Sequence, residues 1–342
     1  MLSSWTAAPF ARPPPPPPSF STRGSPMALP PSVRIAVVGD VHDQWDLEAD
    51  TKALQFLKPD LVLFTGDFGN ENVDVVRNVA KLEFAKAAIL GNHDSWHTQQ
   101  FSSKRKDNVQ LQLEFLGEEH VAYRRLDFPL LKLSVVGGRP FSWGGDQLFR
   151  KKLLSTRFGV DDMDQSSRRI RNAALGAPED HLIIFLAHNG PTGLGSKNDD
   201  ICGKDWVSEG SGDNGDPDLA DALSELKNGT ELQMPLVVFG HMHKWLAFGK
   251  GQRKMIVLGD DGMIYLNGAI VPRVRPLTCD PNNSQSTTDG RSPGDAPDLA
   301  GTARAFTVVE ISDKRVVKIA ETWVSVHGET TKLEEEQVLF TP

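Results

Sequence analysis

Residues 33–42, Val33-Arg34-Ile35-Ala36-Val37-Val38-Gly39-Asp40-Val41-His42, decide the reading of this chain. A short aliphatic run without alternation reads as a strand buried on both faces. Here it ends in a glycine, then an aspartate and a histidine two positions apart, a spacing that lets both side chains point to one side of an extended strand end. The construction recurs four times. Residues 61–65 run into Gly66-Asp67, 87–90 into Gly91-Asn92-His93-Asp94, 182–187 into His188, and 236–239 into Gly240-His241-Met242-His243. Five parallel strands that each end in a ligand converge their side chains on one crevice at the carboxyl edge of a sheet.

Carboxylate oxygens and imidazole nitrogens in this mixture suit Mn, Fe or Zn, and the lack of clustered thiolates argues against a cysteine-type zinc or iron–sulfur site. A carboxylate can bridge two cations, and Asp67, arriving after its own buried strand, is placed to do so. Two divalent metals about 3.5–4 Å apart would clamp an in-line displacement at phosphorus and activate a bridging water. Asp40 and Asp67 could instead be N-caps of strand-to-helix loops, but their place in the five-part pattern favours metal. The histidines outside it, His97, His120, His181 and His327, read as packed or surface residues.

Taken in order from Asp40 to His243, the pattern D-x-H, GD, GNHD, a lone His and GHxH resembles that of the calcineurin-like metallophosphoesterase superfamily. The β/α rhythm is similar across residues 33 to about 327. The resemblance implies that Asp40, His42, Asp67 and His243 hold one metal and Asp67, Asn92, His188 and His241 the second. It also implies that His93 is the catalytic general acid, with a metal-bridging hydroxide as nucleophile. Asp94 either orients His93 or caps the following turn. Where the protein-phosphatase branch has GDxxDR, this chain has Gly66-Asp67-Phe68-Gly69-Asn70-Glu71. Asn70 can hydrogen-bond His93 without favouring its charged form as a carboxylate would, and Glu71 stands where an arginine would grip phosphate. That departure points away from phosphoproteins and toward phosphodiesters or small phosphorylated substrates. A non-catalytic protein-binding scaffold is the contrasting reading, against which every ligand position and His93 are filled. Residues 137–143 and the ligand segments resemble a cyanobacterial and plastid group.

Around these segments, short aliphatic strands alternate with amphipathic stretches, the signature of an α/β domain. Helices are expected over 45–57, stopped by Pro59, and over 74–85. Residues 121–126 and 130–136 read as an antiparallel pair, and strands at 255–258, 263–266, 305–311 and 316–326 as a second, largely antiparallel sheet. The expected architecture is a four-layer α/β/β/α sandwich of two stacked mixed sheets with flanking helices, the metallophosphatase fold. Arg139, after Gly137-Gly138, reads either as a phosphate-gripping residue or as a surface arginine. Trp96, Phe141 and Trp143 could stack on a substrate base or sugar, or simply pack.

At 342 residues with 39% apolar content, the chain can bury one large core. A net charge of −8 removes the long-range attraction that polynucleotide binders use. Two cysteines, Cys202 and Cys279, form no CxxC pair, so a disulfide framework is disfavoured. No run of residues reaches the roughly 20 apolar positions of a membrane-spanning helix. The acidic-free, serine- and arginine-bearing residues 1–32, with Pro13 to Pro18 in succession, read as a transit peptide for the chloroplast, ahead of mitochondrial import or a plain Pro-rich cytoplasmic tail. Residues 33–342 then form a single domain. Gly, Asp and Asn fill 196–218, close enough after His188 to be a lid loop or mere slack, and 280–301 reads as a disordered insertion.

Overall fold

Strand β1, Val33–Val38, divides its side chains between two cores. Val33, Ile35 and Val37 join one buried cluster, and Ala36 and Val38 another. This period of two explains why the run is aliphatic from Ile35 onward, with both faces buried there, while Arg34 at its start is exposed. The computed structural model describes residues 32–206, 212–277 and 301–342. The leader, apart from Ser32, and the 280–301 insertion, apart from Gly301, lie outside them, as do residues 207–211 of the expected lid.

β1 pairs in parallel with β2, Leu61–Phe64, which pairs in parallel with β3, Lys86–Ala88. On its other side β1 pairs antiparallel with β11, Thr302–Ser312, followed by β12, Arg315–His327, and β13, Thr330–Phe340. A short strand β10, Val274–Pro276, also pairs with β11. In the second sheet β5, Leu133–Gly137, β6, Leu182–Leu186, β7, Leu236–Phe239, and β9, Ile264–Asn267, run parallel. Two antiparallel edge strands, β4, Arg125–Phe128, and β8, Ile256–Leu258, complete it.

The sheets stack through Ile35, Leu63, Val135, Ile184, Val238 and their neighbours. Their outer faces carry helices α1, Leu47–Leu57, α2, Val73–Ala80, α3, Asn108–Leu116, α4, Lys151–Phe158, α5, Met163–Ala174, and α6, Pro217–Gly229. Two mixed sheets with flanking helices are therefore the architecture expected. The allocation of strands differs: of the strands expected to form a second antiparallel sheet, β11 and β12 join the first sheet, and β8 and β9 the second, where β9 runs parallel to β7.

Local signals account for the helix starts. Asp46 accepts the Ala49 N–H at 2.7 Å, Asn72 caps α2, and Asp107 closes a capping box with Gln110. The second helix stops at Ala80, because Leu82 and Phe84, which extend the apolar spacing, turn into the core instead. The expected 121–126 and 130–136 pair sits later along the chain, as β4 and β5 around Pro129, with Leu131 N–H donating to the Phe128 carbonyl in the turn.

His120 is buried beside β3, its Nε2 accepting the Leu90 N–H at 3.3 Å. Burial lowers its pKa to about 3, with Arg124 and Arg157 adding to the effect. The native chain thus refuses a proton that the unfolded chain takes near pH 6.5. Stability from this group is full above 6.5 and declines as pH falls toward 3. In urea unfolding the advantage of the wild type over His120→Gln is expected to shrink by about 2 kcal/mol between pH 7.5 and pH 5. A pH-independent difference would refute the assignment.

Candidate metal centre

The carboxyl ends of β1, β2 and β3 in one sheet meet those of β6 and β7 in the other, and there the five ligand segments gather. They come from two sheets, not one edge. Two donor groups result: Asp40, His42 and His243, and Asp67, His188 and His241, each with ligand atoms within 4.8 Å of one another. Asp67 lies between them, its Oδ2 3.9 Å from His42 Nε2 and its Oδ1 3.4 Å from His188 Nε2. Asn92 Oδ1 lies 2.9 Å from His188 Nε2, on the side of the second group.

The backbone is shaped for these ligands. His42, Asp67 and His241 hold φ values of 41°, 48° and 65°, left-handed conformations that cost energy in non-glycine residues and cluster at functional sites. A Cβ on Gly91 would sit 2.3 Å from Asp67 Oδ1 and 2.4 Å from His188 Cε1, and one on Gly240 would sit 2.2 Å from Asp40 Oδ1. Glycine is required at both places so that the strand ends can close around the carboxylates.

The donor set fits a pair of cations on electrostatic grounds. Asp40 and Asp67 are buried, and the ion-pair partners they have among the described residues are all histidines. Burial pushes both carboxyls up, but His243 hydrogen bonding to Asp40, and the charge and hydrogen bond of His188 on Asp67, outweigh it and hold both below the usual carboxylate range. His188 Nδ1–H donates to the Thr65 carbonyl at 2.7 Å, which aims Nε2 at two acceptors, Asn92 Oδ1 and Asp67 Oδ1. A metal-ligating histidine uses its second nitrogen in this way. Without a cation, burial alone would lower the His188 pKa, yet Asp67 and Asp40 raise it to about 10. His42 Nε2 and His243 Nε2 approach to 3.0 Å, two ring nitrogens converging where a shared cation would hold both. His241 is kept neutral, with a pKa lowered to about 3 first by burial and then by His188, and is ready to ligate.

The family model for calcineurin-like phosphoesterases matches residues 33–245, from the first residue of β1 to just past the last ligand. The chain belongs to this family. This calcineurin-like phosphoesterase is a metal-dependent enzyme acting on phosphate esters, and its two donor groups are candidate metal sites. Twenty chains of solved structures match it, two of which follow. A dimetal phosphatase from Danio rerio shares 9% identity at a TM-score of 0.41, with 92% of this chain and 100% of that one covered. A conserved uncharacterized protein and predicted phosphoesterase from Streptococcus pneumoniae shares 11% at 0.30, with 90% and 98% covered. Comparison with curated proteins returns no match.

Of the residues expected beyond the ligands, His93 lies at the centre. Its backbone N–H donates to Asp67 Oδ1 at 2.8 Å, and its Nδ1 to Asn70 Oδ1 at 2.6 Å. Asn70 therefore positions the histidine; its side-chain oxygen is engaged there instead of with substrate. Asp94 does not touch the His93 ring. Its two oxygens accept the Phe68 and Gly91 N–H groups at 2.9 and 2.8 Å, so it braces the loops that carry Asp67 and Asn92. Glu71 likewise turns inward to the His97 N–H and the Thr98 hydroxyl. Thr65 was not expected at the site, yet its carbonyl orients His188 and its hydroxyl donates to Asp40 Oδ1 at 3.3 Å. Its signal was its place directly before Gly66-Asp67.

Arg139 is corrected outright. It is 1% exposed, and its guanidinium donates to Asp216 at 2.8 Å and Asp218 at 3.0 Å, pinning the start of α6 beneath β5. It cannot grip a phosphate at the metals, because its charge is spent on two buried carboxylates. Phe141 is also core, fully buried. Arg139→Met would leave both carboxylates without their cation, an uncompensated buried charge that costs about 3–5 kcal/mol. Urea unfolding at neutral pH is expected to show that loss; a change under about 1 kcal/mol would contradict the role, as for an exposed pair.

Proposed function

We propose that this phosphoesterase hydrolyses phosphodiesters or small phosphorylated metabolites, with His93 protonating the leaving oxygen. The observation that carries the reading is Asp67, seated between two donor groups with the catalytic histidine fastened to its Oδ1 through the backbone. Mn, Fe or Zn ions held by Asp40, His42, Asp67, Asn92, His188, His241 and His243 would supply Lewis-acid stabilisation at phosphorus and activate water as nucleophile. The chain's own part is orientation and proton transfer. Asn70 accepts from Nδ1–H, which leaves Nε2 as the His93 nitrogen available to the substrate. Burial lowers the pKa of His93, so a proton at Nε2 passes readily to the departing oxygen, whose bond to phosphorus breaks as the water oxygen bonds to it.

Charge favours a diester over a monoester. A monoester brings a dianion that needs cations besides the metals; Arg139 and Glu71 supply none, and Lys204, on the wall of the cavity into which the metal centre opens, shares that wall with Asp146. Arg253, which lines the cavity, spends its guanidinium on the carbonyls of His243, Asn198, Asp200 and Gly203 and on Asp205. With the Mn²⁺-loaded full chain, kcat/KM for bis-p-nitrophenyl phosphate is expected to exceed that for p-nitrophenyl phosphate by about tenfold, or about 1.4 kcal/mol in the barrier. The reverse order would overturn the diester preference. Absence of turnover on both with Mn²⁺, Fe²⁺ and Zn²⁺ would leave only the scaffold reading.

A further inference from the structure

The metal centre opens into a cavity of about 710 Å³, within the roughly 300–1,000 Å³ range of pockets that enclose whole organic ligands and larger than a phosphate group needs. Four of the chain's seven tryptophans line it: Trp96, Trp143, Trp206 and Trp245. They are 46%, 46%, 48% and 54% exposed, although the rest of the fold keeps Trp45 and Trp323 buried. So much open indole at one place is costly in water, and apolar surface concentrated in this way marks a binding site.

Two of these rings are held ready. Trp96 stacks on His93 with centroids 4.5 Å apart and planes 12° apart, and Trp143 stacks on Phe149 at 4.3 Å and 24°. Arg150 joins the two, its guanidinium 4.2 Å above Phe149 while it donates to the Ser95 and Trp96 carbonyls at 2.7 and 2.5 Å. Each ring is thus covered on one face and keeps about half its surface open. Trp206, from the 196–218 loop, and Trp245, just after His243, have no ring partner among the described residues.

We infer that the four tryptophans form the wall that receives a planar aromatic ring in the substrate's leaving group, so that the esters cleaved are of nucleoside type. The inference rests on the phosphoesterase reading and names its substrate class. Flat indole faces stack on any nucleobase, and each such contact contributes substantially to binding. An aromatic wall could also receive a quaternary ammonium. Away from the metal ligands, however, the charged side chains lining the cavity are Asp146, Asp205, Lys204 and Arg253, two of each sign, so no surplus of negative charge favours a cation.

The test uses the full chain treated with EDTA, titrated with adenosine while tryptophan emission is followed. Saturable quenching is expected. Its midpoint should weaken about tenfold in Trp143→Ala and in Trp206→Ala, and stay close to wild type in Trp143→Phe, which keeps a stacking face. Quenching that does not saturate, midpoints unchanged in the alanine variants, or choline binding in place of adenosine would each overturn the inference. Because neither metal nor turnover enters the assay, adenosine binding by an enzyme inactive on every ester would refute the hydrolase reading alone.

Discussion

Replacing Asp67 by Asn is expected to strip metal from the protein and to lower turnover by at least about a hundredfold, with little loss of fold. Asp67 is 1% exposed and faces both donor groups, with its oxygens 3.4 and 3.9 Å from histidines of each. Its ionised form is what a second cation needs, since two positive ions at close quarters repel unless a negative charge lies between them. Asn keeps the shape and can still accept the His93 N–H, and it tolerates the left-handed backbone at φ 48°. What it removes is the charge. Metal content after dialysis against limiting Mn²⁺ should fall well below that of the wild type, while thermal unfolding in EDTA should stay close to it. Full metal occupancy in the variant would sink the bridging role.

The ligand set was legible because its information is local. Each donor sits within four residues of the end of a contiguous aliphatic run, and the run ends where the strand ends, so Asp40, Asp67 and His188 could be read with their strands. The roles of the neighbours were less legible. Arg139 follows its strand as a ligand would, and what decides its fate is a pair of aspartates 77 and 79 residues later. No spacing rule connects them. Asp94 is adjacent to His93 in sequence, yet the tight turn over His93–Ser95 sends their side chains apart.

The same distinction runs through the fold. Parallel strands were visible as unbroken apolar runs, whereas the sheet that β11 and β12 join depends on the pairing of Val33 with Ile311 across the whole domain. Helix α4 buries only Leu153 and Leu154 and gave little periodic signal, while α5 turns inward a face that includes Ser166 and Ser167, which a search for apolar residues passes over. The tryptophan wall was half visible. Trp96 and Trp245 sit within three residues of His93 and His243 in sequence, but Trp143 and Trp206 reach the cavity on loops far from any ligand segment.

His93→Ala should separate chemistry from metal binding. The ring belongs to neither donor group, and alanine retains the backbone N–H that Asp67 accepts, so metal content is expected to match the wild type. Turnover should fall by about 10²- to 10⁴-fold, the usual contribution of a positioned general acid. The size of the fall should depend on the ester. A p-nitrophenolate departs without a proton, so the variant should lose least on p-nitrophenyl substrates and most on alkyl or nucleoside esters, whose alkoxides need one. Because Trp96 packs flat on this imidazole, a purely structural role would instead lower activity on every ester alike. Uniform losses across leaving groups, or metal loss like that expected of Asp67→Asn, would therefore remove His93 from proton transfer and leave it as a support for the aromatic wall.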